Sequence, residues 1–496
     1  MKTFVSKHDQ LITRLLEILP GFTSWNLILF PYWGIFLIPN LTAYFILVFN
    51  VYWFYQSLTI AISSVITHLR IQETIKTNWV NELKKLKNYK HVHHAIIVTT
   101  YKEPLHTLEK TLDNIANQTL PKNQISVCLA MEAAEPEEER IPKVKALQKK
   151  FRNKFANFFV TVHTLAKGEI KGKASNERYA AIWLKNELVD KRKMNIKNII
   201  VTSCDADHAY HQSHFALLTY QFLKNPNRLD TFWQGAVLFY KNIWELPMIS
   251  RVLNTLMSMW QFSQLSRKDR LINGQNYSLP LYLLDKAGYW DPDKIPEDWG
   301  IFFKSFYANN GKVEVEPLYL PVLVDAAQST TFWKTMVNQY EQLKRWAWGV
   351  SDTPWIVKNY LFSRNVPFAS KTFRLITFAW SHFLWPVNWF LITIGLTLPS
   401  FINPAFGRTT LGYMVPQVSS LLLTIALCFL VVMLIFDNIY RPPKPANYPK
   451  WKVFIKPLEF VLMPVVGFVF GALPGLDAHT RLMMGKYIDY RVTEKV

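Results

Sequence analysis

Two aspartates separated by one residue, Asp205 and Asp207, follow the β-branched run "NIIVTSC" at residues 198–204. Taken alone, such a pair reads most simply as a polar cap between a strand and the next element. Hard divalent cations bind carboxylate and phosphate oxygens, so two carboxylates at a strand end also suit Mg²⁺ or Mn²⁺ held against a diphosphate. A second acidic group, Pro296-Glu297-Asp298, precedes the amphipathic stretch "WGIFFKSFY". Asp298 could cap that helix or take a proton from a reacting hydroxyl. A third stretch, "QLKRW", sets Gln342, Arg345 and Trp346 on about one helical turn, where they offer an amide, a fixed cation and a stacking surface.

The elements that must position these groups are legible around them. Residues 93–350 alternate short apolar runs ("AIIVTT", "ISVCLAM", "NIIVTSC") with helical patterns ("LHTLEKTLDNIANQ", "NERYAAIWLKNEL"). Strands and crossovers of these lengths predict a parallel sheet covered by helices. Ligands of such sheets bind at the carboxyl ends of the strands. Three polar clusters fall at those ends: Thr100-Tyr101-Lys102-Glu103, Glu132, and Asp205-Ala206-Asp207. The acidic run "EAAEPEEERIPK" reads as a solvated loop and helix start. Gly274 in "INGQNYS" is a candidate for close backbone approach.

Apolar segments flank this region. Residues 22–66 carry no charged residue, which is length enough for a hairpin of two crossings turning at Pro39-Asn40. The stretch is too long for a cleaved signal peptide. Residues 373–398 and 416–436 are two further candidate crossings. Residues 457–475, broken by Pro464, Gly467, Gly471, Pro474 and Gly475, suit an interfacial or re-entrant segment better than a straight span.

The chain has 56 Lys+Arg against 36 Asp+Glu, a formal charge of +20, and the basic residues cluster beside the apolar segments. By the positive-inside rule those loops and the central region are cytoplasmic, facing anionic headgroups and a phosphorylated substrate. No nucleic-acid-binding motif accompanies the charge. Cys128, Cys204 and Cys428 are too scattered for a metal set or disulfide framework. The histidines around residues 91–94 and 211–214 lack the partners of a zinc site.

The ordered set "VTTYKEP", "KGKASN", "CDADH", "PEDW", "QLKRW" resembles the inverting family 2 glycosyltransferases of the cellulose synthase and hyaluronan synthase type. The resemblance implies an α/β GT-A (Rossmann-like) cytosolic domain inserted between α-helical transmembrane segments. It implies a hairpin at 1–70, the catalytic domain at 93–350, an interfacial segment at 351–372, two crossings at 373–438 and a cytosolic or interfacial tail at 439–496. Thr100, Tyr101 and Glu103 would line the nucleoside pocket, with Lys102 and Thr99 replacing the usual Asn and Pro. Glu132 would stand where the family has an aspartate contacting the base. Lys173, Asn176 and Asp205 would meet the nucleotide sugar, and Asp205 and Asp207 would hold Mg²⁺ or Mn²⁺. His208 follows as in the cellulose synthases. Asp298 would be the general base, and Gln342, Arg345 and Trp346 would hold the acceptor end and the diphosphate. "YRVTEK" matches the spacing of a gating loop, with Tyr490, Val492, Thr493 and Lys495 at its motif positions.

The function so implied is an integral cytoplasmic-membrane transferase, catalytic domain in the cytosol, that moves sugar from a UDP-sugar or GDP-sugar onto a growing polysaccharide with β-linkage. A non-processive transferase to a polyprenyl phosphate or glycolipid is the nearer alternative. A transporter or scaffold that only senses a nucleotide is the alternative of another class, against which the few membrane-buried charges count. Four crossings are few for a complete glycan channel, which leaves room for an accessory subunit or oligomer.

Overall fold

The computed structural model describes residues 7–395, 398–446, 448–449 and 456–491. At its centre is an eight-stranded sheet in the order β3-β2-β1-β4-β7-β6-β8-β5. The strands are β1 (His93–Thr100), β2 (Ile125–Glu132), β3 (Asn157–His163), β4 (Ile199–Asp205), β5 (Ala209–Tyr210), β6 (Thr231–Leu238), β7 (Tyr277–Pro280) and β8 (Glu314–Leu323). The first four pair in parallel, as the alternating pattern predicts. The expectation of a parallel sheet is corrected at β7, a four-residue strand antiparallel to both β4 and β6, and at the two-residue β5, antiparallel to β8. A strand that short carries no periodicity to read.

Alternate side chains of one strand point to opposite faces, and the core divides accordingly. Ile96 and Val98 pack with Leu108, Leu112 and Phe215 on one side. Ala95 and Ile97 pack with Ala180, Ala181 and Phe302 on the other. Register then sets the functional edge: Thr99 lies opposite Asp205, Thr100 opposite Met131, and Glu132 opposite His163. The polar clusters read from the sequence therefore leave the sheet side by side.

The N-terminal hairpin consists of helices Asp9–Leu37 and Pro39–Lys76 joined at Ile38. Among the described residues three helices are long and apolar enough to cross a membrane: Pro39–Lys76, Thr410–Tyr440 and Leu458–Met483. Residues 373–398 are not one continuous helix. Helix Phe368–Phe383 stops before Pro386, which lacks the N–H a helix interior needs, and a short helix Asn388–Thr393 follows. The chain still travels from the domain to the hairpin tip, where Asn403 Nδ2 donates to the Ile35 carbonyl at 2.9 Å.

Residues 458–483 are helical throughout, with a π-helical turn at Gly467–Ala472. Near one end Arg251 grips Glu459 through two hydrogen bonds of 3.1 and 2.5 Å, and near the other Asp477 lies 3.4 Å from Lys344. Both ends thus touch the sheet domain, and the helix runs along its face. A side chain at Gly467 would put Cβ 2.1 Å from the Trp389 ring. Gly467→Ala is accordingly expected to destabilise the fold by about 1–3 kcal/mol, read as a lower melting temperature in detergent. An unchanged melting temperature would show that Trp389 can retreat.

Candidate active site

The turn after β1 is held by its own acidic groups. Glu103 Oε2 accepts from Thr100 Oγ1 at 2.6 Å and from the Tyr101 N–H at 2.5 Å. Lys143 donates to the Glu103 carbonyl at 2.8 Å and to Glu135 at 2.5 Å. Lys102 adopts φ 64°, a left-handed conformation that turns the chain out of the strand. Lys171 Nζ sits 4.2 Å from the Tyr101 ring centre and donates to its hydroxyl at 2.9 Å.

Glu132 at the end of β2 is engaged by a residue the sequence reading missed. His163 Nδ1 lies 3.2 Å from both of its oxygens, and His163 Nε2 lies 3.0 Å from Glu169. Burial pulls the imidazole pKa down, but hydrogen bonds and charge from the two carboxylates outweigh it and leave it raised.

Lys173 is the junction of the site. Its ammonium lies 2.9 Å from Asp205 Oδ1, 3.1 Å from Glu297 Oε1 and 3.7 Å from Glu177 Oε1. Burial opposes its charge, yet the three carboxylates raise its pKa well above the lysine value. Glu177 is fully buried and accepts from Ser203 Oγ at 2.5 Å. Burial first, then the negative charges of Glu297 and Asp205, push its pKa up to about 8 against the opposing pull of Lys173. Asn176, one residue before it, is 2% exposed; its amide donates to the Ala130 carbonyl at 2.9 Å, and its Oδ1 has no partner.

Asp205, Asp207 and His208 bring potential ligand atoms within 4.8 Å of one another. The Asp325 N–H donates to Asp207 Oδ2 at 2.9 Å, and Lys241 bridges the Asp207 carbonyl and Asp325 at 3.0 Å each. The Asp205 N–H donates to His208 Nδ1 at 3.1 Å, so Nε2 carries the proton and faces Asp205 Oδ2 at 3.7 Å. Two carboxylates fit Mg²⁺ or Mn²⁺, whose other positions phosphate oxygens and water commonly fill.

Asp298 opens helix Asp298–Ala308, and its Oδ1 accepts from the Trp299 N–H at 3.1 Å. Burial, then the neighbouring Glu297 charge, raises its pKa to about 7. Helix Phe332–Ala347 carries Gln342, Arg345 and Trp346. The Arg345 guanidinium stands 4.8 Å from the Tyr490 ring centre, and a Cβ on Gly172 would lie 3.1 Å from that ring's edge. Trp346 packs against Phe239 at 5.8 Å. Val492, Thr493 and Lys495 lie outside the described residues.

Thr100, Tyr101, Glu103, Glu132, Lys173, Asn176, Asp205, Asp207, Asp298, Gln342, Arg345, Trp346 and Tyr490 all line one cavity of about 1710 Å³. Gly274 lines it too, and a Cβ there would meet no protein atom within 4 Å. The cavity extends from the sheet edge between helices Pro39–Lys76, Phe368–Phe383 and Thr410–Tyr440.

A sheet of this order, with an Asp-X-Asp pair at the end of β4 and a short antiparallel strand beside it, is an α/β domain of the expected GT-A-like kind flanked by apolar helices. Residues 200–436, a little under half of the chain, match the family model described as glycosyl transferase family group 2. Over those residues the chain is similar to the family 2 glycosyltransferases. No curated protein matches the chain. Among solved structures it is similar to the mannosyltransferase PcManGT from Pyrobaculum calidifontis in complex with GDP-Man and Mn²⁺, at 15% identity over 76% of this chain and 97% of that one, TM-score 0.42. It is also similar to S. aureus TarS 1–349 in complex with UDP-GlcNAc (13% identity, 81% and 93% covered, TM-score 0.34). A third is GalNAc-T7 with UDP, GalNAc and Mn²⁺ (12% identity, 60% and 59% covered, TM-score 0.36).

Of the groups the sequence reading passed over, Glu177 had a usable signal: it lies four residues after Lys173 on one helix face. His163 and Asp325 had none, because only sheet register brings them in. The raised pKa of Glu177 has a stability consequence. The folded chain holds this proton more tightly than the unfolded chain, so the contribution is full below about pH 4.5 and is lost as pH rises through about 8. Glu177→Gln keeps an acceptor for Ser203 and removes the titration. In metal-free buffer its melting temperature should fall less steeply than the parent's between about pH 5 and 8; parallel curves would show that Glu177 does not titrate there.

Proposed function

We propose that this chain is a membrane-bound inverting glycosyltransferase that moves a sugar from an α-linked UDP-sugar or GDP-sugar onto a growing polysaccharide with β-linkage. The single observation that carries the reading is the Lys173 bridge. It ties Asp205, beside the candidate metal ligand Asp207, to Glu297, beside Asp298. Donor and acceptor halves of a transfer site are thereby held in one frame although they are distant in sequence.

In the proposed reaction the acceptor hydroxyl gives its proton to Asp298 as its oxygen attacks the anomeric carbon from the face opposite the diphosphate. The bond from that carbon to the diphosphate oxygen breaks, the nucleoside diphosphate leaves with the electron pair, and the anomeric configuration inverts. A Mg²⁺ or Mn²⁺ ion at Asp205 and Asp207 would supply positive charge to the leaving diphosphate. Lys173 holds Asp205 in orientation. Thr100, Tyr101, Glu132 and Asn176 would receive the nucleoside and its sugars, with the His163 ring bracing Glu132.

Gln342, Arg345 and Trp346 on the opposite wall would hold the acceptor, and the segment ending at Tyr490 would close over the donor. Helices Asp9–Leu37, Pro39–Lys76 and Thr410–Tyr440 and the broken stretch from 368 to 402 would cross the bilayer, with Leu458–Met483 along its cytosolic face.

Diphosphate release from a panel of UDP- and GDP-sugars, with Mn²⁺ and with chelator, tests the reading. Asp298→Asn should lower kcat by about 10²–10⁴-fold with little change in donor KM. Because the raised pKa must be passed before Asp298 can accept a proton, kcat/KM should rise with pH through about 7. Glu297→Gln should move that limb to lower pH by removing a neighbouring negative charge. No release from any donor, or an Asp298→Asn variant as active as the parent, sinks the proposal.

A further inference from the structure

We infer that His163, held in turn by Glu169, is a positioning residue that sets which nucleobases the donor pocket admits: it fixes the Glu132 carboxylate as a hydrogen-bond acceptor, so that the base must present a ring N–H. The inference rests on the transferase reading and restricts its donor to nucleotides of lactam bases such as uracil and guanine, over those of cytosine and adenine.

Glu132 ends β2 and lies opposite His163, the last residue of β3. It is 7% exposed and lines the cavity, as Thr100 and Tyr101 do. Its backbone is fastened separately from its side chain. Arg140 Nη1 donates to the Glu132 and Glu135 carbonyls at 3.3 Å each, and the Ala133 N–H donates to the His163 carbonyl at 2.8 Å. None of these contacts touches the carboxylate, and a glutamate side chain has much rotamer freedom to lose before it points one way. Among the described residues the carboxylate hydrogen-bonds to His163 alone, whose Nδ1 stands 3.2 Å from each oxygen. An N–H shared by both oxygens fixes the direction of the group and leaves each oxygen a lone pair on the side away from the ring.

The ring is held from its far side. Nε2 lies 3.0 Å from Glu169 Oε2, an oxygen that also accepts from the Ala166 N–H at 2.8 Å and so closes the turn through Gly168, at φ +92°. From helix Lys173–Lys185 the Tyr179 ring stands 5.4 Å from the imidazole. With a carboxylate at each nitrogen, only a ring protonated at both can donate at both. Burial alone would lower the ring's pKa, but the two carboxylates outweigh it and leave the pKa raised.

An ionised carboxylate accepts hydrogen bonds and gives none. Uracil N3 and guanine N1 carry a hydrogen for it. Cytosine N3 and adenine N1 carry a lone pair, which would face the lone pairs of the carboxylate. The pocket therefore selects by repulsion as well as by attraction. A glutamate free to turn away, or to take up a proton and offer an O–H, would lose that distinction; the N–H of His163 opposes both changes.

Binding of UDP, GDP, CDP and ADP to the full chain in detergent, at constant Mg²⁺ and without turnover, tests the inference. The tighter of UDP and GDP should bind about tenfold more tightly than CDP and ADP, and about tenfold more tightly than its own ring-N-methyl derivative, 3-methyl-UDP or 1-methyl-GDP. His163→Asn places an amide N–H where Nδ1 stands and should keep that preference. His163→Gln places it where Nε2 stands, serves Glu169 instead, and should reduce the preference to about threefold or less. A ring needed only for folding would make the two variants behave alike. If the melting temperature shows that His163→Gln does not fold, the comparison passes to Glu169→Ala, which frees the ring from its far anchor and should weaken the preference in the same direction. Parent affinity for CDP or ADP equal to that for UDP and GDP, equal preferences in the Asn and Gln variants, a preference kept by Gln and lost by Asn, or one untouched in Glu169→Ala overturns the proposal and leaves the enzyme reading standing. Binding of no nucleoside diphosphate at all overturns both.

Discussion

Everything at the sheet edge depends on one ammonium group among carboxylates. Lys173 touches Asp205, Glu177 and Glu297, and Asp207 and Asp298 lie in the same cavity. Four of these carboxylates line the cavity and Glu177 is buried beside Lys173, and negative charges so close repel one another strongly where water is scarce. The site relieves this in three ways: the buried cation, the raised pKa of Glu177 and Asp298, and room for a divalent ion. A chain with a formal charge of +20 thus concentrates negative charge at one spot. Such a concentration costs stability and is of the kind that suits a cation. A nucleoside diphosphate arriving with its own metal ion would be attracted to a surface that repels the free diphosphate.

The same ammonium has a structural consequence. Its three partners come from β4, from its own helix and from the segment before helix Asp298–Ala308, whose nearest links to the sheet otherwise run through apolar packing. A buried ion pair contributes little net stability compared with an apolar substitute of equal size, but loss of one partner leaves a buried charge uncompensated at a cost of about 3–5 kcal/mol. The bridge therefore fixes geometry more than it adds stability, which is what a site needs if a proton acceptor on one loop must face a leaving group on another.

Much of this was legible in the sequence, for a definite reason. The central strands are continuous apolar runs ending in short polar clusters, and a parallel sheet delivers such ends to a common edge. Thr100, Glu132, Asp205 and Asp207 could be placed by that rule alone. The resemblance supplied Lys173, Asp298 and the Gln342-Arg345-Trp346 turn. What could not be read is whatever sheet register or helix packing creates. The contact of His163 with Glu132 is made by the register of β3 on β2 and leaves no local pattern. Strand β7 is too short for a pattern, and the break at Pro386 was hidden inside an otherwise apolar run.

The two ends of the chain complete the site in a way no local pattern announces. Arg14 donates to the Leu482 carbonyl at 2.8 Å and to that of Met483, satisfying the free carbonyls at the end of helix Leu473–Met483. Glu17, paired with Arg14 at 2.8 Å, accepts from the Tyr487 hydroxyl at 2.9 Å. Gly485, at φ +72°, lets the chain turn between these contacts as an αL cap. Ile488 and Tyr490 then pack beside Trp348 and Ile295, and the Tyr490 ring meets Arg345. The N-terminal helix is anchored in turn by Lys358, which reaches Asp9 and Thr13 at 2.6 Å each. The wall of the cavity at Arg345 is therefore set by contacts to helix Asp9–Leu37, and any movement of that helix relative to the domain would be felt there through Tyr487.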